Sequence, residues 1–324
     1  MQLVNLPIEQ AIDAILVHNI VDADGRKALS KGHRLTADDV DKLRALEITT
    51  VYVARLDADD VREDDAALRL AQAIAGDNIE LSKAISGRVN FFATKTGLLK
   101  INRLALKRIN ELKGITLATK PGYTLLTPRK MLATLKTIGL ALPEATLRRA
   151  EDIVRECGKV IDIVAPHIQR TAILLTGSDE GKQRTADTFL PPIRARIAEL
   201  GGQVIADAYV NENAEAIAIT LTGLLGAGAQ LVIIAGETSV MDADDITPRG
   251  IQQAGGQIEL YGAPVEPGNL LLLAYRGDVP IVGAPGCVKS RETNVVDLIL
   301  PRLMLGEKIS RADVAEMAEG GLLI

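Results

Sequence analysis

The chain has 324 residues, enough for two domains that each bury a core. Aromatic residues make up 2% and tryptophan is absent, so the core must be Ile, Leu, Val and Ala, and binding of single-stranded nucleic acid by stacking is disfavoured. A formal net charge of −5 and a pI near 5.4 argue against a broad nucleic-acid surface, though a local basic pocket stays open.

The N-terminal MQLVNLPIEQAIDA has no basic n-region, and no segment reaches transmembrane length, so a cytoplasmic protein without a membrane partner is expected. Residues 1–75 read as short strands around one clear helix. Thr36-Ala37-Asp38-Asp39 is a capping signal with carboxylates where the helix dipole favours them. A strand is expected over 49–54 and a second helix over 66–75. Further on, 91–93, 114–119 and 131–138 read as strands, and 98–112 and 144–154 as helices. The basic cluster Lys95, Lys100, Arg103, Lys107 and Arg108 reads as a solvated helix face more readily than as a ligand site. Composition changes at Ala165-Pro166-His167. This predicts a mixed α+β N-terminal region over 1–165, as one unit or as two small modules (1–76 and 77–165), and an α/β domain over 166–324.

From Arg170 onward strands and helices alternate regularly. A strand over 171–175 runs into Thr176-Gly177-Ser178-Asp179-Glu180-Gly181. The next helix spans 189–200, with Pro191-Pro192 in its first turn, since an interior proline would break it. Asn213 caps a helix through Ile217, Leu221 and Leu224. Leu231-Val232-Ile233-Ile234-Ala235 is uncharged and rich in β-branched residues, a strand buried on both faces. Asp242, Asp244 and Asp245 follow, and then Thr247-Pro248, read as N-cap and first helical residue. Strands over 257–261, 270–275 and 279–282 come next, the last two joined by Arg276-Gly277-Asp278. Gly283-Ala284-Pro285-Gly286 is a second glycine loop, Ser290 caps a helix, and Ser310-Arg311-Ala312-Asp313 is a capping box. The expected fold is α/β, with a doubly wound, mostly parallel sheet.

In such sheets ligands bind beyond the carboxyl ends of the strands. Three loops, 176–184, 236–248 and 283–291, should therefore meet at one edge. Helix starts and the cations Lys182, Arg184, Lys289 and Arg291 favour a phosphate. The carboxylates at 242–245 suit a divalent metal or form a solvated turn with an Asx motif. Neither a P-loop nor a Gly-x-Gly-x-x-Gly motif is present. His18, His33 and His167 all precede this alternation, which leaves Ser-His-Asp catalysis without a candidate. Cys157 and Cys287 are far apart with no CxxC spacing, against structural zinc or a disulfide framework. Cys287, near Lys289 and a helix start, is either a thiol of lowered pKa or a small buried loop residue.

The segments ILLTGSDEGKQRTADTF, IRARIAELGGQV, LVIIAGETSVMDADDITPRGI, VEPGNLLLL and VPIVGAPGCVKS together resemble the molybdopterin-binding domain of molybdenum-cofactor biosynthesis proteins. That family includes molybdopterin adenylyltransferases and molybdotransferases. The similarity covers about residues 168–305, and the order and spacing of the pieces carry it. It implies a site for a phosphorylated pterin dithiolene, molybdopterin or the molybdenum cofactor, with Mg2+ and a nucleotide as further ligands. Asp245, with Asp244 as the neighbouring alternative, would be the family's acidic catalytic residue, and Asp245 and Asp242 would hold the metal. Thr176, Gly177, Ser178 and Asp179 would form the first pterin loop, and Gly236, Glu237, Thr238 and Ser239 the second. Pro267, Gly268, Pro285, Gly286, Lys289 and Ser290 would close the pocket. Glu237 stands where the family usually has a second glycine, Asn269 replaces a lysine, Cys287 an asparagine, and Asn211-Glu212 a common Asp. These departures bear on nucleotide or molybdate chemistry more than on pterin binding. The stretch GRKALSKGHRLTADDVDKLRALEITTVYV looks like a small β-rich module found attached to various domains.

Three functions follow. The first is an enzyme of cofactor assembly that activates or transfers metal or nucleotide on the pterin. The second is a non-catalytic carrier or sensor of the cofactor, or a partner of a separate nucleotidyltransferase. The third is an α/β domain that binds another phosphorylated ligand, since fold does not determine function. The resemblance also implies a homo-oligomer and contacts with other cofactor-assembly proteins.

Overall fold

The computed structural model describes residues 1–237, 242 and 244–323, in two compact units, 1–164 and 165–324. In the first unit, Gln2–Pro7, Thr50–Arg55 and Ile15–Leu16 form an antiparallel sheet. The helix Ala37–Ala45 starts at Thr36, whose hydroxyl accepts from the Asp39 N–H while the Asp39 carboxylate accepts from the Thr36 N–H. That is the capping box its sequence signals. Val40 and Leu43 of this helix share a core with Leu16, Val51 and Val53.

A separate core in the same unit joins the helix Glu63–Ile74 to residues 89–163. Ala66, Leu70 and Ile74 pack with Val89, Phe91 and Leu135 of an antiparallel sheet, and with Leu147 and Ile153 of the helix Glu144–Cys157. The single helix expected over 98–112 is instead a strand, Gly97–Ile101, followed by a shorter helix, Arg103–Asn110. Adjacent Leu98 and Leu99 are both fully buried, as in a strand covered on both faces, and this strand pairs with Ile161–Val164. Asn102 then starts the helix by accepting from the Ala105 N–H at 3.1 Å. Two members of the basic cluster have acidic partners, Arg108 with Glu156 and Lys107 with Glu111.

Arg69 clamps these two long helices together. Its guanidinium donates to Glu151 at 2.6 and 2.8 Å and to Glu144 at 2.8 and 3.1 Å. Arg69, with Arg148 behind it, holds the Glu144 carboxyl at about 2 against an ordinary 4.5, and Arg69 lowers Glu151 as well. With folded values below unfolded ones, the unfolded chain binds protons first on acidification. The stabilisation is complete above pH 4.5 and is lost as pH falls toward 2. Urea unfolding should therefore need less denaturant at pH 3 than at pH 5, and Arg69→Met should flatten that difference. An unchanged difference in the variant would remove these carboxylates as its source.

The second unit is a sheet with six strands among the described residues: β1 (Arg170–Gly177), β2 (Gln203–Asn211), β3 (Leu231–Gly236), β4 (Gln257–Tyr261), β5 (Leu272–Arg276) and β6 (Val279–Gly283). Their order is β2-β1-β3-β6-β5-β4. The pairs β1–β2, β1–β3 and β3–β6 are parallel, whereas β5 runs antiparallel to β6 and β4. Leu231 to Ala235 are all buried, as their uncharged pattern predicts. The helices are α1 (Lys182–Glu199), α2 (Ala214–Gly226), α3 (Ile246–Gln253), α4 (Val295–Met304) and α5 (Arg311–Ala315). Ile217 and Leu221 of α2 and Ile251 of α3 pack on Ala172, Leu174, Val232 and Ile234. Helix α1 contacts β1, β2 and β3, and its buried Ile193 and Ile197 lie outside that cluster.

Three local expectations are corrected by the structure. Helix α1 begins at Lys182, so Pro191 and Pro192 lie inside it; having no N–H, they leave the carbonyls of Asp187 and Thr188 without the usual helical donors. Asp245, not Thr247, caps α3. Asn294, not Ser290, caps α4, in a capping box with Asp297. In both caps an Asp or Asn near the expected position accepts the orphan N–H groups instead, because its side chain is as good an acceptor.

Candidate functional site

Strands β1, β3 and β6 end side by side, with Thr176 opposite Gly236 and Ile234 opposite Gly283. The loops that follow leave from one edge. The first two strands approach closely there, since a Cβ on Gly236 would collide with the Thr176 hydroxyl and lie 2.7 Å from its carbonyl oxygen. That is a backbone reason for glycine at this position.

Beyond the edge, Ser178 to Gly181 turn the chain into α1, and Glu237, the first residue after β3, reaches across to them. Its carboxylate accepts from the Ser178 N–H and the Ser178 hydroxyl, each at 3.0 Å. It also accepts from Arg184 Nη2 at 2.8 Å and the Thr185 hydroxyl at 3.3 Å. The Glu237 side chain is 19% exposed and that of Arg184 79%. The Ser178 N–H, then the Arg184 guanidinium and the Ser178 hydroxyl, hold the Glu237 carboxyl at about 2, so it is charged at neutral pH. Tyr209 on β2 buttresses the loop by donating to the Ser178 carbonyl at 2.6 Å. Burial, and then the Glu237 charge, raise the Tyr209 phenol above its ordinary value. The Lys182 ammonium lies 5.7 Å from its ring centroid. Asp179 accepts from Asn211 Nδ2 at 3.4 Å.

The third loop enters as a single 3-10 turn, Gly286–Lys289. It brings Lys289 to a cleft of about 250 Å³ lined by Arg184, Thr185, Thr188, Phe189, Glu237 and Lys289. Each of the three loops thus contributes a charged side chain to one cleft, the meeting that their strand positions predict. Arg196 of α1 anchors the third loop from below. Its side chain is 3% exposed and donates to the carbonyls of Val288 at 3.0 Å, Ser290 at 2.8 Å and Glu292 at 3.2 Å. It also forms a two-pronged pair with Asp297 at 2.8 and 3.1 Å. Burial raises the Cys287 thiol above its ordinary value, so it stays protonated at neutral pH; a thiol of lowered pKa is set aside.

The acidic stretch has local tasks. Asp242 Oδ1 accepts from the Asp244 N–H at 2.8 Å, an Asx turn, and Asp245 Oδ1 accepts from the Ile246 N–H at 2.7 Å. Burial, then the charges of Asp242 and Asp245, raise the Tyr261 phenol above its ordinary value. Among the described residues no three His, Cys, Asp or Glu side chains converge as metal ligands. Thr238 and Ser239 lie outside the described residues.

Pro267 and Gly268 fasten the start of α4. The Pro267 carbonyl accepts from the Val295 N–H at 3.1 Å, and a Cβ on Gly268 would lie 2.7 Å from Val295 Cβ. Pro285 accepts from the Val288 N–H at 3.0 Å, closing the turn that includes Gly286. Ser290 Oγ accepts from the Glu292 N–H at 3.0 Å. Of the residues singled out by sequence, Arg184, Glu237 and Lys289 therefore share the cleft, with Gly177 and Ser178 beside Glu237. Arg196 and Tyr209 were not singled out. Arg196 did leave one signal: of the two cations between Ile193 and Ile197, Arg194 and Arg196, it is the one three positions after Ile193 and next to Ile197, on the inward face of the helix.

Residues 172–305 match the model of a family described as a probable molybdopterin binding domain. Residues 5–55 match that of a domain of unknown function. No curated protein is significantly similar to the chain in sequence. Solved structures with similarity include a molybdopterin biosynthesis MoeA protein from Pyrococcus horikosii, 13% identical over 94% of this chain and 75% of that one, with a TM-score of 0.33. The protein CinA from Thermoplasma acidophilum is 16% identical over 42% of this chain and 98% of that one, at 0.35. A molybdenum cofactor biosynthesis protein from Pyrococcus furiosus is 13% identical over 97% of this chain and 64% of that one, at 0.26.

Proposed function

We propose that the cleft beside Glu237 binds a phosphorylated pterin, on the premise that residues 172–305 belong to the molybdopterin-binding domain family. The observation that carries this reading is the meeting of Arg184, Glu237 and Lys289, one from each of three loops at one edge of a parallel set, in a single cleft. Arg184 and Lys289 bring positive charge for a phosphate. Thr185 and Thr188 add hydroxyls for a polar ring, and Phe189 adds an apolar face. In this reading the sheet is doubly wound, with α1 on one face and α2 and α3 on the other. The protein acts in molybdenum-cofactor biosynthesis by holding the pterin for another component.

A second reading is activation of the bound pterin with Mg2+ and a nucleotide, Asp245 or Asp244 being the acidic residue and Asp242 a metal ligand. The closeness in sequence of Asp242, Asp244 and Asp245, just ahead of α3, favours it. Calorimetric titration of the full chain with molybdopterin, alone and with Mg-ATP, Mg-CTP or molybdate, separates the two. The expected result is pterin binding that needs none of the additions and that Lys289→Ala weakens about tenfold, the contribution of one charged hydrogen bond. Binding or turnover that requires one nucleotide, and is abolished by Asp245→Ala, would move the conclusion to the second reading. No binding of molybdopterin would overturn both.

A further inference from the structure

Four donors at the start of α1 converge on one point: the Ser178 N–H, the Ser178 hydroxyl, the Thr185 hydroxyl and the Arg184 guanidinium. A backbone N–H and a hydroxyl ahead of an 18-residue helix, with a hydroxyl and an arginine in its first turn, are the donor set that takes a phosphate. Here the anion they hold is the chain's own. The space has been left free for it, since a Cβ on Gly181 would fall on the Glu237 carboxylate and one on Gly177 would lie 2.8 Å from Glu237 Cγ. Gly181 has φ −85°, a backbone that any residue adopts, so room for Glu237 and not conformation calls for glycine there.

We propose that Glu237 is an internal anion that fills this cradle, so that the phosphate of a ligand binds there only by displacing it. Glu237 is tethered directly to the end of β3 and competes at the high effective concentration of an intramolecular group. An incoming anion binds only the fraction of molecules whose cradle is open, and its apparent affinity falls by that fraction. Lys289, on the opposite loop of the same cleft, is the cation that attracts a phosphate before Arg184 has exchanged partners. Glu237 thereby sets which ligands are accepted: weak or monovalent anions are refused, and a doubly charged phosphate monoester carried on a larger, independently held body is admitted. This deepens the pterin reading and rests on it only for the identity of that body.

The probe is inorganic phosphate, titrated into the full chain by calorimetry and followed by thermal shift at constant ionic strength. The wild type should show no saturable response at millimolar phosphate. Glu237→Ala should gain at least about tenfold in phosphate affinity, as expected when an open fraction of a tenth or less becomes one. Adding Arg184→Ala to it should abolish the gain. Glu237→Gln, which keeps the shape but loses the charge, should gain in the same direction and serves if the alanine variant folds poorly. In a cycle without phosphate, Gly181→Ala should lower Tm in the wild type and less in the Glu237→Ala background, because the three atoms nearest the new methyl group all belong to the Glu237 carboxylate. Equal phosphate affinity in wild type and variants, or no binding by a folded Glu237→Ala, would overturn the proposal. Loss of molybdopterin binding by the wild type with the phosphate gain intact would overturn the pterin reading alone.

Discussion

Replacing Arg196 by alanine should lower the stability of the second unit by about 3–5 kcal/mol, the range for removing one partner of a buried ion pair. For a unit of this size that is roughly 2–4 °C of Tm per kcal/mol. The effect is large because the guanidinium is 3% exposed and serves several acceptors at once. Without it, Asp297 keeps its bond from the Asn294 N–H at 3.0 Å but loses its counter-charge, and the carbonyls of Val288 and Ser290 lose the guanidinium as donor, while that of Glu292 keeps the bond from Asn294 Nδ2 at 3.1 Å. Arg196→Lys should recover less than half of the loss, since an ammonium cannot reproduce the planar fork that spans Asp297 and the loop carbonyls. Differential scanning calorimetry of the three proteins checks this. An alanine variant within about 1 kcal/mol of the wild type, the spread of ordinary substitutions, would show that other contacts hold the loop that presents Lys289.

Gly268→Ala should cost roughly 2–6 kcal/mol, the sum of two independent terms. Gly268 has φ +126°, where a side chain costs about 1–3 kcal/mol. The added methyl would also lie 2.7 Å from Val295 Cβ and 3.1 Å from the Val295 nitrogen. Overpacking of that kind costs about 1–3 kcal/mol, and here it is hard to relieve because the neighbour is the first residue of α4. Gly277, in the turn between β5 and β6, is the control. It has φ +60° and nothing within 4 Å of where a methyl would sit, so Gly277→Ala should cost only about 1–2 kcal/mol of left-handed strain. Denaturant unfolding that finds Gly268→Ala no worse than Gly277→Ala would mean the Pro267-Gly268 segment yields without disturbing α4.

Much of the site was legible at the level of loops and much less at the level of side chains. The strand at Leu231–Gly236 could be read from five uncharged apolar residues, and its neighbours from similar runs, so the meeting of three loops at one edge followed from parallel pairing. The roles of Asp242 and Asp245 were less legible. Their spacing suits a metal as well as it suits an Asx turn and a helix cap; Asp242 accepts one bond of the first of these local kinds and Asp245 one of the second. The Pro191-Pro192 pair shows the same limit. A rule that excludes proline from a helix interior is a statement of average cost, and the contacts α1 makes with β1, β2, β3 and the Gly286–Lys289 turn outweigh it.

What the sequence alone determined is whatever is decided within a few residues: the caps at Thr36, Asn213 and Ser310, the buried strand, and the turn between β5 and β6. In the caps and the turn the partners are three positions apart, and the hydrogen bond that makes the element is nearly the same in any context; the strand is marked by its own uncharged run, although its ladder partners are the distant β1 and β6. Only the tertiary structure decided the charges of the cleft. Glu237 meets Ser178 across 59 positions and Arg196 meets Asp297 across 101. A carboxylate or guanidinium on a pattern of apolar residues carries no mark of the distant partner that will offset its desolvation; the sheet order brings the partners together.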